Sequence, residues 1–184
     1  PLTAIAFFML TGELMTSATI TDRLVALSRA LIGRIRGGLA QVNVLVSMFF
    51  AGMNGSVVAD TATVGALVLP AMKKAGYPAA FSAAVTGVSS TIGGIIPPSI
   101  MMIVLANSTE ISIAALFAAG IIPGVLIGIT IMIINHYFAI KYNFERSDEP
   151  FSIRRAGKEL YRSSFALLIP LVLVGSVMGG VASV

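Results

Sequence analysis

Along most of this chain the apolar residues do not alternate with polar ones but run on without relief. No charged residue stands between Lys74 and Glu110 or between Glu110 and Lys141, and between Gly37 and Lys73 there is only Asp60. Uninterrupted runs of this kind meet the length of about 20 apolar residues that a membrane-spanning helix requires. The pattern therefore predicts an all-α integral membrane protein. Residues 1–15 read as the end of a spanning helix, interrupted at Gly12-Glu13, with Glu13 interfacial. In residues 20–36, "ITDRLVALSRALIGRIR", Leu24, Leu27, Leu31 and Ile35 share a face while Arg23, Arg29, Arg34 and Arg36 lie largely elsewhere. That spacing predicts a basic amphipathic arm along the membrane surface.

Two apolar runs are broken where a plain span would not be. In 37–72 the stretch "GMNGSVVADTA" puts small polar residues mid-run. Two helices sharing that length with a turn get about 15 residues each, or roughly 22 Å, short of the ~30 Å hydrocarbon core. The expectation is a re-entrant helical hairpin with Asn54-Gly55-Ser56 at its tip. Non-helical backbone at such depth is tolerated only inside protein or beside a water-filled cavity. The second break, "SSTIGGIIPPS", lies within 79–106. Gly93-Gly94 lowers helix preference, and Pro97-Pro98 donates no backbone hydrogen bond but suits the first turn of a new helix. This predicts one discontinuous helix made of two halves.

A third run, 111–140, carries Gly120, Gly124 and Gly128 at four-residue spacing, a stripe read as close helix packing and not as a site. A polar cytoplasmic connector at 141–162 and the start of another span from 163 complete the order. The segments group as 1–36 (scaffold-helix end and arm), 37–110 (hairpin and discontinuous helix) and 111–184. With residues 16–36 cytoplasmic and the hairpin returning to its own side, all twelve basic residues fall on one face, as the positive-inside rule asks. The first residue, Pro1, and the apolar final stretch "VMGGVASV" lead us to expect part of a longer polypeptide.

Composition agrees: 57% of residues are hydrophobic and 11% charged, against roughly 25% charged in soluble domains. The net charge of +4 comes from short basic blocks beside apolar segments, which suits a bilayer and argues against a nucleic-acid partner. With no cysteine, disulfide, thiol and Cys-metal chemistry are excluded. His136 reads as an interfacial side chain. The Asn-x-Ser/Thr patterns at Asn54 and Asn107 are discounted as glycosylation sites, because so short a pattern recurs by chance. No Ser/His, paired-Asp or metal-ligand constellation points to an enzyme, and no cofactor is expected.

What the breaks offer is free backbone. A helix C-terminus presents carbonyls to a cation and an N-terminus presents amides to an anion. Candidate sodium ligands are Asn54, Gly55, Ser56, Ser90, Thr91 and Gly93. Candidate substrate-binding or coupling residues are Asp60, Ser56, Pro98 and Ser99. Gly/Pro-interrupted segments mark binding positions in secondary transporters. Asp60, a carboxylate in an uncharged run, is costly unless paired, hydrated or beside a cation; it reads as a coupling or electrostatic residue, with structural hydrogen bonding the other possibility.

The stretches "PLTAIAFFMLTGELM", "RIRGGLAQVNVLVSMFFAGMNGSVVADTATVGALVLPAMKKAGYPAAFSAAVTGVSSTIGGIIPPSIMMIV" and "AAGIIPGVLIG" resemble, in order and spacing, the large membrane (M) subunit of tripartite ATP-independent periplasmic (TRAP) transporters. The resemblance runs over nearly the whole chain and corresponds to the first of two inverted repeats. It implies a sodium-driven organic-acid importer of the bacterial inner membrane, working by an elevator motion with a small membrane subunit and a periplasmic substrate-binding protein. Asn54 stands where that family commonly has Ser, and Gly94 where it often has Pro. Two other readings compete: a single-polypeptide sodium–dicarboxylate or citrate symporter, and a non-transporting structural or channel subunit.

Overall fold

The computed structural model describes residues 20–33, 35–144 and 153–179, and every regular element among them is helical. The expectations for residues 1–15 and Glu13 lie outside the described residues. Among the described residues the α-helices are, in order, α1 (Ile20–Ile32), α2 (Gly38–Asn54), α3 (Val57–Lys74), α4 (Ala79–Ser90), α5 (Ile100–Thr109), α6 (Ile113–Lys141) and α7 (Ile153–Met178). A 3-10 turn, Thr91–Gly94, follows α4.

Helix α1 packs against α2 and α7. Its buried face is Thr21, Leu24, Leu27 and Ser28. Leu31 and Ile35, expected on the same stripe, are 41% and 40% exposed. The helix ends at Ile32, before the stripe is complete, because Gly33 interrupts it. Arg23 and α7 are clasped reciprocally: Arg23 Nη1 donates to Arg162 O at 3.2 Å, and Ser163 Oγ donates to Arg23 O at 3.3 Å.

Helices α2 and α3 are joined by only Gly55 and Ser56 and double back on each other. Asn43, near the start of α2, lies 3.8 Å from Met72 Sδ near the end of α3. Gly37 abuts Ala139 at the end of α6, and Tyr77 packs at a tilt against Phe144 just beyond it, with centroids 4.5 Å apart. Both ends of the hairpin therefore sit at one end of the bundle. The turn is tighter than the sequence suggests, leaving 17 and 18 residues for the two arms, or about 26 Å of helix each. Helix α2 is buried along most of its length by α1, α3, α4 and α6.

The break in 79–106 is two helices of 12 and 10 residues with the 3-10 turn between them. Pro97 and Pro98 precede α5 and do not form its first turn; Ser99 is the N-cap, its Oγ accepting from Met102 N. Helix α6 closes the back of this break. A Cβ on Gly120 would strike Met102 and Ile95 O, one on Gly124 would strike Ile96, and one on Gly128 would fall 2.5 Å from Met48 Sδ. The glycine stripe is thus the surface on which the break and the hairpin lie. Helix α7 starts at Ile153, inside the stretch read as a polar connector. The sequence "IRRAGKELYR" is rich in helix formers, and Glu159 and Arg162 pair one turn apart at 3.6 Å.

Two helical stretches, Ile113–Lys141 and Ala156–Val177, are long and apolar enough to cross a membrane. Their outer faces carry Ile122, Leu126, Ile133, Phe165, Leu171 and Val172, all exposed.

Candidate functional site

The site forms where the hairpin tip meets the break. Asn54 ends α2, Gly55 turns the chain in the left-handed region at φ 59°, and Ser56 caps α3. Only glycine fits position 55. Its φ disfavours any side chain, and a Cβ there would collide with Pro98 O. The tip is fastened to the break by Ile100 N, which donates to Gly55 O at 3.1 Å. Gly93 packs on the same turn, where an added Cβ would stand 3.6 Å from the Ser56 carbonyl. Ser99 Oγ ties the other side of the break by donating to Gly94 O at 2.8 Å.

Of the sequence-predicted residues, the fold brings Asn54, Gly55, Ser56, Gly93, Pro98 and Ser99 into this one junction. Ser90 and Asp60 lie beside it, one at the end of α4 and the other in the first turn of α3. Thr91 is placed differently: its side chain is exposed and its hydroxyl donates back to Val88 O at 2.7 Å. His136 is exposed on α6, and no cluster of three or more His, Cys, Asp or Glu able to hold a metal occurs among the described residues.

Both polarities are present at the tip. Asn54 is 4% exposed, and its Oδ1 accepts from Ser56 N at 3.1 Å, which fixes the orientation of the amide. Its Nδ2 is then buried with no hydrogen-bond partner. Next in the chain is the start of α3, where Ser56 Oγ accepts from Ala59 N and the Val57 and Val58 amides have no intrahelical acceptor. The α5 start offers less, because Ile100 N and Met102 N are already engaged. A buried donor of this kind calls for an anionic or carbonyl oxygen.

Asp60 supplies the opposite demand. It is 0% exposed, and both carboxylate oxygens lack a hydrogen-bond partner. The side chains facing it are Ser90 and Ser47, and each hydroxyl also has another acceptor within reach. Ser90 Oγ donates to Thr86 O at 2.8 Å and Ser47 Oγ to Ser89 Oγ at 3.2 Å. The helices packed around this part of α3, namely α2 and α4, carry no charged side chain. A buried carboxylate beside two hydroxyls suits a hard monovalent cation.

Sequence reasoning passed over Asn43, Ser47, Thr86 and Ser89, which the structure buries together between α2 and α4. The signal is present in the spacing. Asn43 and Ser47 are four apart on an apolar helix, and Ser82, Thr86 and Ser89 follow at i, i+4, i+7, each set marking one face.

The DctM component of the tripartite ATP-independent periplasmic transporter matches over residues 1–184. The chain is 39% identical over 184 residues to the sialic acid TRAP transporter permease SiaT of Haemophilus influenzae, covering 100% of this chain and 30% of that protein. It is 36% identical to the sialic acid TRAP transporter large permease SiaM of Vibrio cholerae and 37% to the C4-dicarboxylate TRAP transporter large permease DctM of Pseudomonas aeruginosa, in each case covering 97% of this chain and 42% of the relative. The chain thus spans less than half the length of these relatives, which are transporter permeases and not enzymes. With its helical architecture and two candidate spans, this chain belongs to the DctM family of TRAP transporter large permeases.

Proposed function

We propose that this chain is the half of a TRAP large permease that carries one cation and carboxylate site, in a sodium-coupled secondary transporter importing an organic acid. The substrate class follows the substrates for which the relatives are named, sialic acid and C4-dicarboxylate. The observation that carries the reading is the pairing at one junction of an unsatisfied buried acid, Asp60, with an unsatisfied buried donor, Asn54 Nδ2. A structural bundle has no use for either, since each costs free energy until a ligand meets it.

In this reading Asp60, Ser90, Ser56 and the carbonyls around Asn54, Gly55 and Gly93 receive the coupling ion. The Asn54 amide and the first-turn amides of α3 orient the substrate carboxylate, with Ser99 holding the break in shape. Cation and anion then favour each other across a short distance in a low dielectric, which links their binding. The hairpin is re-entrant, its two ends on the cytoplasmic face of the bacterial inner membrane. It moves with the broken helix as an elevator against a scaffold. A small membrane subunit and a periplasmic substrate-binding protein complete the system.

Uptake of a radiolabelled organic acid into proteoliposomes holding the complete transporter tests this. Transport should require an inward sodium gradient; uptake unchanged after that gradient is collapsed removes sodium coupling. Full-rate transport without a binding protein would favour a single-polypeptide symporter instead.

A further inference from the structure

Helices α2 and α6 pack antiparallel, and three contacts give their register. Gly37, the residue before α2, abuts Ala139; Gln41 Nε2 donates to Met132 O at 2.8 Å; and Met48 Sδ lies 2.5 Å from the position a Cβ on Gly128 would take. Asn135 stands on the buried stripe of α6, between Ala139 and Met132 in sequence, so it falls in the layer between Gly37 and Gln41. Its backbone carbonyl is 3.9 Å from where a Gly37 Cβ would be. Two side-chain amides, one from each helix, are thereby placed in neighbouring layers at the base of the hairpin.

Neither amide is satisfied by the protein, although Gln41 is only 2% exposed and Asn135 only 3%. A carbonyl can only accept, so the contact with Met132 O fixes the Gln41 nitrogen and leaves Oε1 as an acceptor. That oxygen is buried with no hydrogen-bond partner. Asn135 has the complementary want: its Nδ2, a donor, is also buried without a partner. The two are therefore not bonded to each other, and each costs free energy while it stands alone. A cation would suit the oxygen and be repelled by the N–H group, and an anion would do the reverse. A small neutral molecule that donates and accepts at once suits both, and that molecule is water. We infer that Gln41 and Asn135 hold a buried water, which donates to Gln41 Oε1, accepts from Asn135 Nδ2 and ties the base of the hairpin to α6. The inference stands apart from the sodium-coupled reading, because Gln41 lies near the start of α2 and Asn54 at its end.

The test uses the complete transporter purified in detergent. A density map that resolves ordered water should show a peak about 3 Å from both Gln41 Oε1 and Asn135 Nδ2, and the peak should be missing from Gln41→Leu/Asn135→Leu. No peak in the wild type, or the two amides in direct contact, would overturn the inference. Melting temperatures check the pairing independently. Asn135→Leu should lower the melting temperature of the wild type by a few degrees, because the acceptor on Gln41 loses its bridge to a donor. In the Gln41→Leu background the same replacement should cost nothing, since removing both polar partners leaves no buried group unpaired. Asn135→Ser keeps a donor on a shorter side chain and leaves room for a second water. It should cost less than Asn135→Leu, and it covers the case in which that variant does not fold. An equal loss from Asn135→Leu in both backgrounds would show that the two amides share no ligand.

Discussion

The backbone N–H of Ile100 donates to the carbonyl of Gly55 across 3.1 Å, so the hairpin turn and the second half of the broken helix form one hydrogen-bonded unit. This contact exists because neither partner is obstructed. Gly55 has no side chain between its carbonyl and Pro98, and the prolines before Ser99 bring a bare helix start to the turn. Two interruptions that lie far apart in sequence thereby become a single junction, with backbone as its framework and Asn54 and Ser56 beside it.

Glycines at this junction differ in what they tolerate. Gly55→Ala meets both a left-handed φ and the Pro98 carbonyl, and should lower stability by about 1–3 kcal/mol while abolishing transport. Gly93→Ala places its methyl at ordinary contact distance, 3.6 Å from Ser56, and should fold normally. Gly93→Val adds two methyls against the same turn and should impair uptake. Thermal unfolding in detergent, read beside uptake, checks the order Gly55→Ala worst and Gly93→Ala mildest.

The glycine stripe of α6 yields a compensation experiment. A methyl at Gly124 would overlap Ile96 on the break, so Gly124→Ala should destabilise by about 1–3 kcal/mol. Shortening the partner in Gly124→Ala/Ile96→Val should restore part of that loss. If the double variant is as unstable as the sum of the singles, the two residues are not in contact in the working protein.

Much of this architecture is legible in the sequence because the apolar runs are long and their interruptions are made of Gly and Pro, whose backbone effects are local. Asn54-Gly55-Ser56 is a turn wherever it stands, and the Gly120-Gly124-Gly128 stripe reads as packing because small residues admit only close neighbours. What was not legible depends on tertiary contact. The Asn54 oxygen accepting from Ser56 N two residues on is a local turn, but nothing local says that its Nδ2 is left buried without a partner. Nothing local says that Thr91, one residue after Ser90, turns outward. The start of α7 at Ile153 was hidden by charge: Arg154, Lys158 and Glu159 read as a connector, yet a helix carries such residues readily on its solvent side.

The hairpin topology predicts the sidedness of its ends. Cysteine at Gly37 itself would be strained, since that residue has φ 72° and its Cβ position is taken by Ala139. Exposed Arg36 and Lys73 are better choices. Arg36→Cys and Lys73→Cys should both be labelled by a membrane-impermeant maleimide from the cytoplasmic side in right-side-out and inverted vesicles compared side by side. Labelling from opposite sides would mean that 37–72 crosses the membrane once and is not re-entrant.

The separate demands of Asn54 and Asp60 can be told apart by two substitutions that keep shape and change chemistry. Asn54→Asp retains the oxygen that accepts from Ser56 N but replaces the unpaired Nδ2 donor with an acceptor and adds a negative charge. It should weaken substrate carboxylate recognition, raising the half-saturating substrate concentration about tenfold or more, as expected when a donor to a charged group is lost. Its half-saturating sodium should not rise, because a further anion near the ion is not unfavourable to it. Asp60→Asn does the converse: it removes the carboxylate charge beside Ser47 and Ser90 and supplies a donor to one of them. Sodium dependence should then be weakened or lost, and because the carboxylate no longer needs a cation, the protein should melt at a temperature that sodium no longer changes. Equal effects of both variants on both ligands would indicate that the junction is a single structural element whose disturbance is general, with no division between a cation side and a carboxylate side.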